Sequence, residues 1–331
     1  MNHTPGGVNP DQITDDSKIS PKNGFLDPRT TKTDISVSRV VVLPAPFERT
    51  TSFLKGTSKA PEAILSASHQ VELYDPVSKS ETIAQVIHTA SPLDNFSELP
   101  TTGYLDCLRK ETLRYLKMNK LVVVIGGEHT ISLASWQAYQ QRFPKLGLLQ
   151  LDAHADLRNS YEGNRYSHAS VMRRILETKP YLVTAVGIRS FCQEEAEIYE
   201  KGSVTLFEGR ELVNGNSWID RVIDTLPEHV YITIDVDVFD PSVVPAVGTP
   251  EPGGLLWWQM IEFLERLTAS RRVVGFDLVE LCPSDILAYA DFSCAKLIYL
   301  LICMILYRSG LYLPNRDVKK NKKAHPKKLE E

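Results

Sequence analysis

One pattern constrains the fold of this chain more than any other, and it occurs three times. An apolar run is followed at once by side chains able to bind metal. LVVVI (121–125) leads into GGEHT (126–130), LGLLQL (146–151) into DAHAD (152–156), and VYITI (230–234) into DVD (235–237). Short, continuously apolar runs read as strands buried on both faces, the condition of a parallel sheet. In open α/β sheets ligands bind just beyond the carboxyl ends of the strands. His129, Asp152, His154, Asp156, Asp235 and Asp237 are therefore expected along one rim.

Asp and His at strand ends also serve as helix caps and turn formers, and a single such segment would read that way. Three together are poorly explained by capping. Asp235 and Asp237 lie two apart and would share one side of a strand, where two unneutralised carboxylates repel. A structural zinc takes four ligands. Six ligand-type side chains, four of them carboxylates, suit a two-metal hydrolytic site, in which carboxylates bridge the ions.

The rest of the chain alternates strand and helix signals. SRVVVLPAPF (38–47) reads as a first strand ended by Pro44 and Pro46, and residues 61–75 as a helix opened by proline. A helix is expected over 103–118, the strand 121–125, a helix over 130–142 and the strand 146–151. After a polar loop over 157–167, SVMRRILE (170–177) restarts a helix. Strands near 182–187, 203–206, 230–235 and 272–277 then alternate with helices near 192–201, 216–226, 257–269 and 293–308. The expected fold is a three-layer α/β/α arrangement around a central, mostly parallel sheet. Residues 1–36 read as a flexible or loosely packed arm, 37–312 as one domain, and 313–331 as a basic tail exposed to solvent.

The segments GGEHTISLA, LLQLDAHADLR, YSHASVMRR, ITIDVDVFDPSVVPAVGTPEPGGL and VVGFDLVELCP resemble those of the ureohydrolases, the arginases, agmatinases and their relatives, in order from about Val40 to about Tyr307. The loop after Asp156 and the VGIRS segment (186–190) are more similar to bacterial agmatinases than to arginases. The resemblance implies an arginase-like fold and a binuclear manganese enzyme that hydrolyses a guanidinium group to urea and an amine. It implies that Asp152 and Asp235 bridge two Mn²⁺ ions, with His129 and Asp156 on one and His154 and Asp237 on the other. An oxygen-rich ligand set with two imidazoles favours Mn²⁺ over Zn²⁺ and leaves Ni²⁺ and Co²⁺ open.

The same resemblance gives two further roles. Glu280 corresponds to a carboxylate that grips the planar guanidinium, for which two acceptor oxygens are apt. Asp277, on the same segment, is expected to act from behind the ligands. His168 corresponds to a proton shuttle, for which an imidazole titrating near neutrality is suited. Relatives usually carry Gly after this His, where this chain has Ala169, and Asn before the proline following the Glu, where it has Cys282. The arginase loop that holds a substrate α-carboxylate has no counterpart in LRNSYEG (157–163). Agmatine, converted to putrescine and urea as a step in polyamine biosynthesis, is the expected substrate. Guanidinobutyrate, arginine, guanidine, aminopropylagmatine and formiminoglutamate are the alternatives. Glu162 would attract a distal ammonium and Arg158 a carboxylate, and the sequence leaves these open. An inactive metal-binding regulator is the alternative from another class, and its mark, a missing ligand, does not occur.

Composition narrows the partners. A net charge of −4 and a pI near 6.1 argue against a nucleic-acid binder. Five scattered cysteines without a CxxC pair fit free thiols in a reducing compartment, hence a cytoplasmic enzyme. The N-terminus has no apolar signal region. LIYLLICMIL (297–306) is shorter than the roughly 20 residues that cross a bilayer and reads as a buried helix, so no membrane partner is expected. A homo-oligomer, trimer or hexamer, is implied by the resemblance alone.

Overall fold

Alternating buried strands and one-sided helices assemble as their periods require. The computed structural model describes residues 24–26 and 34–308, apart from 77, 78, 80, 94–98 and 214. The strands are β1 (Val40–Ala45), β2 (Ile87–Thr89), β3 (Leu121–Gly126), β4 (Leu146–Leu151), β5 (Leu182–Ile188), β6 (Thr205–Glu208), β7 (His229–Asp235) and β8 (Arg272–Val279). They form one eight-stranded sheet in the order β2-β1-β3-β8-β7-β4-β5-β6. Every pairing is parallel. The helices are α1 (Ala60–Ser68), α2 (Thr101–Lys117), α3 (Ser132–Arg142), α4 (Val171–Glu177), α5 (Gln193–Glu200), α6 (Ser217–Asp224), α7 (Trp257–Ser270) and α8 (Ala288–Arg308).

The two faces of the sheet carry separate cores, as strand alternation demands. Val40 and Val42 face α1, α6, α7 and α8, whereas Val41 and Leu43 face α2, α3, α4 and α5. The three-layer expectation holds. At the base of the β3–β8 seam, Tyr139 of α3 replaces a strand. Its hydroxyl donates to Val122 O (2.8 Å) and accepts from Val122 N (3.1 Å). Gly275 makes room for it, because a Cβ there would lie 2.0 Å from the phenol oxygen.

Several boundaries differ from the sequence reading, each for a local reason. Pro44 lies inside β1, paired with Ile125, because β2 pairs only as far as Val42 and nothing beyond needs the missing N–H. Strand β2, three residues at the sheet edge, is too short to leave a periodic signal. Helix α1 stops at Ser68, and Val71 continues the apolar pattern from a turn. Gly24–Leu26, within the expected loose arm, is packed: Phe25 and Leu26 are buried, and Leu26 N donates to Ser68 Oγ at 2.7 Å. The remainder of that arm, apart from 34–36, and the tail 313–331 lie outside the described residues. Helix α8 starts five residues earlier than expected and runs to 21 residues, so by length and composition it is able to cross a membrane. In the fold 67% of its most apolar window is buried, against α1 and α7 among others. All five cysteines are free thiols.

Candidate metal centre

Four strands adjacent in the middle of the sheet, β3, β8, β7 and β4, end at the same rim. At each of these ends the local backbone fixes a functional side chain. After β3 the chain turns through Gly127, where a Cβ would meet Phe47 O at 2.1 Å, and presents Glu128 and His129. Asp152 directly follows β4 and Asp235 ends β7. Glu280 follows β8 with φ 66°, and Asp156 has φ 54°. Left-handed backbone is unusual for such residues and concentrates at functional sites.

Two details depart from the pattern expected of the sequence. Asp237 does not share a strand with Asp235. It sits in a single 3-10 turn, Val236–Val238, and its N–H donates to Asp235 Oδ1 at 3.0 Å. The turn, not the strand pleat, brings the two carboxylates together. Strand β8 runs two residues past the expected end at 277, so Asp277 lies inside it.

The six expected ligands converge. His129 Nδ1 stands 3.2 Å from Asp152 Oδ2, 3.0 Å from Asp156 Oδ2 and 3.5 Å from Asp235 Oδ2. His154 Nδ1 stands 2.8 Å from Asp237 Oδ2 and 3.9 Å from Asp152 Oδ1. Asp152 thus offers one oxygen to each imidazole. Two ligand groups result, His129–Asp152–Asp235 and Asp152–His154–Asp237, with Asp152 common to both. In this geometry Asp235 meets the first group through Oδ2 while Oδ1 holds the Asp237 amide.

Buried hydrogen bonds fix this array from behind. His129 Nε2 lies 2.9 Å from Thr233 Oγ1, which donates to Asp277 Oδ1 at 2.7 Å. Asp277 also accepts from Ser132 Oγ (2.9 Å) and Tyr231 OH (2.6 Å). Gln150, fully buried on β4, donates to Asp152 Oδ2 at 2.9 Å. Ala153 N donates to Asp237 Oδ1 at 2.9 Å. Gln150 and Thr233 escaped the sequence reading because each is one polar residue inside an apolar run.

Charge is concentrated here to a degree that protons partly offset. Burial, reinforced by Asp237, raises Asp152. Burial, then Asp237 and Asp152, pushes Asp235 well above the carboxylate range, and burial with Asp152 takes Asp156 to about 7. Burial opposes charge on His154, but Asp237 and Asp152 outweigh it and raise it to about 10. Against burial, His154 and the Ala153 amide instead lower Asp237, and divalent cations facing these four buried carboxylates would satisfy the same oxygens. The donor set, oxygen-rich with one shared carboxylate, fits two such ions.

A cleft of about 210 Å³ opens onto this array, lined in part by Asp156, Asp235, Glu280, His154, His168 and Arg158. Glu280 Oε1 accepts from the His129 amide at 2.6 Å, which pins the carboxylate beside the ligands. Burial and the neighbouring Glu128 raise its pKa well above the usual value. His168 stacks edge-on with Tyr161 (5.8 Å between centroids), and its Nδ1 lies 3.2 Å from Thr50 Oγ1. Thr50 is itself held by Glu128, whose Oε2 accepts from Arg49 N and Thr50 N, each at 2.6 Å. Burial, then the positive charges of His129 and His154, lower His168 to about 4. Thr50 and Glu128 were not foreseen, although Glu128 stands inside GGEHT.

Arg158 and Glu162 are now separated. The Arg158 guanidinium lies over the Tyr161 ring at 5.3 Å and lines the cleft. Glu162 is exposed and does not line it. A further carboxylate that lines it, Glu195, is occupied: its oxygens accept from Leu157 N (2.9 Å) and Cys192 N (2.8 Å).

Residues 38–303 match the arginase family. The chain is 38% identical over 278 residues to the N(1)-aminopropylagmatine ureohydrolase of Synechocystis, covering 82% of this chain and 90% of that protein. It is 34% identical over 275 residues to the agmatinase of Pyrococcus horikoshii, covering 82% and 93%. Among solved structures it is similar to the agmatine ureohydrolase of Thermoplasma volcanium, with a TM-score of 0.76 and 28% identity over 90% of this chain and 98% of that one. Fold, converging rim residues and sequence likeness agree, and the chain belongs to the arginase family.

Proposed function

We propose that this protein hydrolyses agmatine to putrescine and urea, using two Mn²⁺ ions. His129, Asp152, His154, Asp156, Asp235 and Asp237 would hold the ions, with Asp152 and Asp235 shared between the two. The observation that carries this reading is the division of Asp152 between two ligand groups, with Glu280 pinned beside them in the same cleft. The ions, when bound, supply the Lewis acidity that activates water near neutral pH. Glu280 orients the guanidinium with its carboxylate. The oxygen of water bonds to the guanidinium carbon, the bond from that carbon to the substituted nitrogen breaks, and the nitrogen gains a proton. His168, which lines the same cleft, carries that proton.

Agmatine is preferred over arginine because no arginase-type carboxylate loop is present, and a buried carboxylate without partners is costly. A second reading, N-aminopropylagmatine, is favoured by the 38% identity to an enzyme named for that substrate. The two share the guanidinium end and differ at the distal amine. We further infer a catalytic domain spanning 37–312, cytoplasmic, oligomeric as trimer or hexamer, and placed in polyamine biosynthesis. Urea release from agmatine, N-aminopropylagmatine, arginine and guanidinobutyrate, with Mn²⁺ added to metal-stripped protein, tests the reading. It predicts the highest kcat/KM for one of the first two. A preference for arginine or guanidinobutyrate contradicts it.

A further inference from the structure

The two imidazoles of the array turn their outer nitrogens to different partners. His129 Nε2 meets the buried Thr233 hydroxyl. His154 Nε2 instead faces a carboxylate, Glu251 Oε1, at 3.8 Å. That carboxylate comes from a loop and not from a strand. Among the described residues His154 is its one charged partner within 4.0 Å.

The loop is built to hold Glu251 there. Glu251 lies between Pro250 and Pro252, so its neighbours limit the backbone on both sides. Arg189, from the VGIRS segment, ties the loop to the metal-binding turn. Its Nη2 donates to Glu251 O and to Asp237 O, each at 2.7 Å, and its Nε donates to Pro252 O at 2.9 Å. One guanidinium thus clamps the chain carrying Glu251 to the chain carrying Asp237, and Asp237 Oδ2 is 2.8 Å from the inner nitrogen of the same His154. Histidine ligands ordinarily give their outer N–H to a carboxylate or carbonyl, which fixes the tautomer and strengthens the ligand.

We propose that Glu251 is the positioning residue for His154, holding its proton on Nε2 so that Nδ1 is free to bind the second ion, with Arg189 placing both. At 3.8 Å the contact is longer than a hydrogen bond, and it acts through one bridging water. The inference rests on the two-ion reading of the site.

The test is calorimetric titration of the metal-stripped full-length protein with MnCl₂. The unaltered protein binds two equivalents. Glu251→Gln weakens one of them by about 10-fold, in the range found for outer partners of metal-bound histidines. The weakened equivalent is the one that His154→Ala removes, while the other equivalent and the metal-free Tm stay unchanged. Glu251→Asp, which keeps the charge, recovers most of the affinity. Unaltered binding by Glu251→Gln overturns the proposal. So does equal weakening of both equivalents with a lowered metal-free Tm, or equal weakening by the Gln and Asp variants. Failure of the unaltered protein to bind Mn²⁺ defeats the two-ion reading itself, and this inference with it.

Discussion

The two halves of the rim site are built differently. Around His129 everything is buried, and the supporting groups Thr233, Asp277, Tyr231 and Ser132 come from β7, β8 and the start of α3. Around His154 the side chain is 24% exposed, and its outer neighbour Glu251, 34% exposed, stands on a loop. One half is fixed by the sheet, where moving a ligand means moving a strand. The other depends on a clamp, Arg189, that among the described residues donates to backbone carbonyls. Asp152 joins the halves, with one oxygen toward each.

The largest expected effect comes from that junction. Asp152→Ala removes a shared ligand, so both Mn²⁺ equivalents weaken and urea release falls by about 1,000-fold or more, a loss typical of disabling a catalytic unit. Retention of two tight equivalents by elemental analysis would break the account of a joined site. His129→Ala comes next: it empties the buried half, leaving about one ion per chain and the fold intact. Full occupancy in this variant would show that the buried half is not a ligand set.

Glu280→Gln separates substrate binding from metal binding. The amide keeps the size of the side chain but loses charge and one acceptor. We expect kcat/KM to fall about 100-fold, equivalent to roughly 2.7 kcal/mol, with metal content unchanged. Loss of metal in parallel would move Glu280 from the substrate's side of the site to the ions' side.

The smallest effect concerns a carboxylate outside the site. Asp291, in the first turn of α8, has a buried Oδ1 without a hydrogen-bond partner among the described residues, and burial raises its pKa to about 6. A raised folded-state value means that the folded chain resists its charge. The cost appears as pH rises from the ordinary carboxyl value through about 6 and is complete above that. Asp291→Asn should therefore stabilise the protein at pH 7 by about 1 kcal/mol, allowing for partial solvent screening, and hardly at all at pH 4. Urea denaturation at the two pH values measures it, and equal effects at both would refute the assignment.

The ligands of both halves were legible in the sequence, those of the buried half most directly. Runs such as LVVVI and VYITI name their strands, and period and length place His129, Asp152 and Asp235 at strand ends without further knowledge. The supports behind them were less visible. Thr233 and Gln150 look like interruptions of an apolar run until the neighbouring strand is known. The clamp and Glu251 were invisible, because an arginine and a glutamate some 60 residues apart carry no shared periodicity. Asp237 was placed near its partner for the wrong local reason, a strand where the chain makes a turn. Edge strand β2 and the packed Phe25–Leu26 were missed since each is too short for a pattern to form.

Anomalous diffraction at the manganese edge, from crystals of the protein grown with MnCl₂, tests the central claim most directly. The account predicts two peaks in each chain, roughly 3.5–4 Å apart as in other two-metal sites. One should contact His129 and Asp156, the other His154 and Asp237, with Asp152 touching both. A single peak, or two peaks with no carboxylate in common, would contradict it.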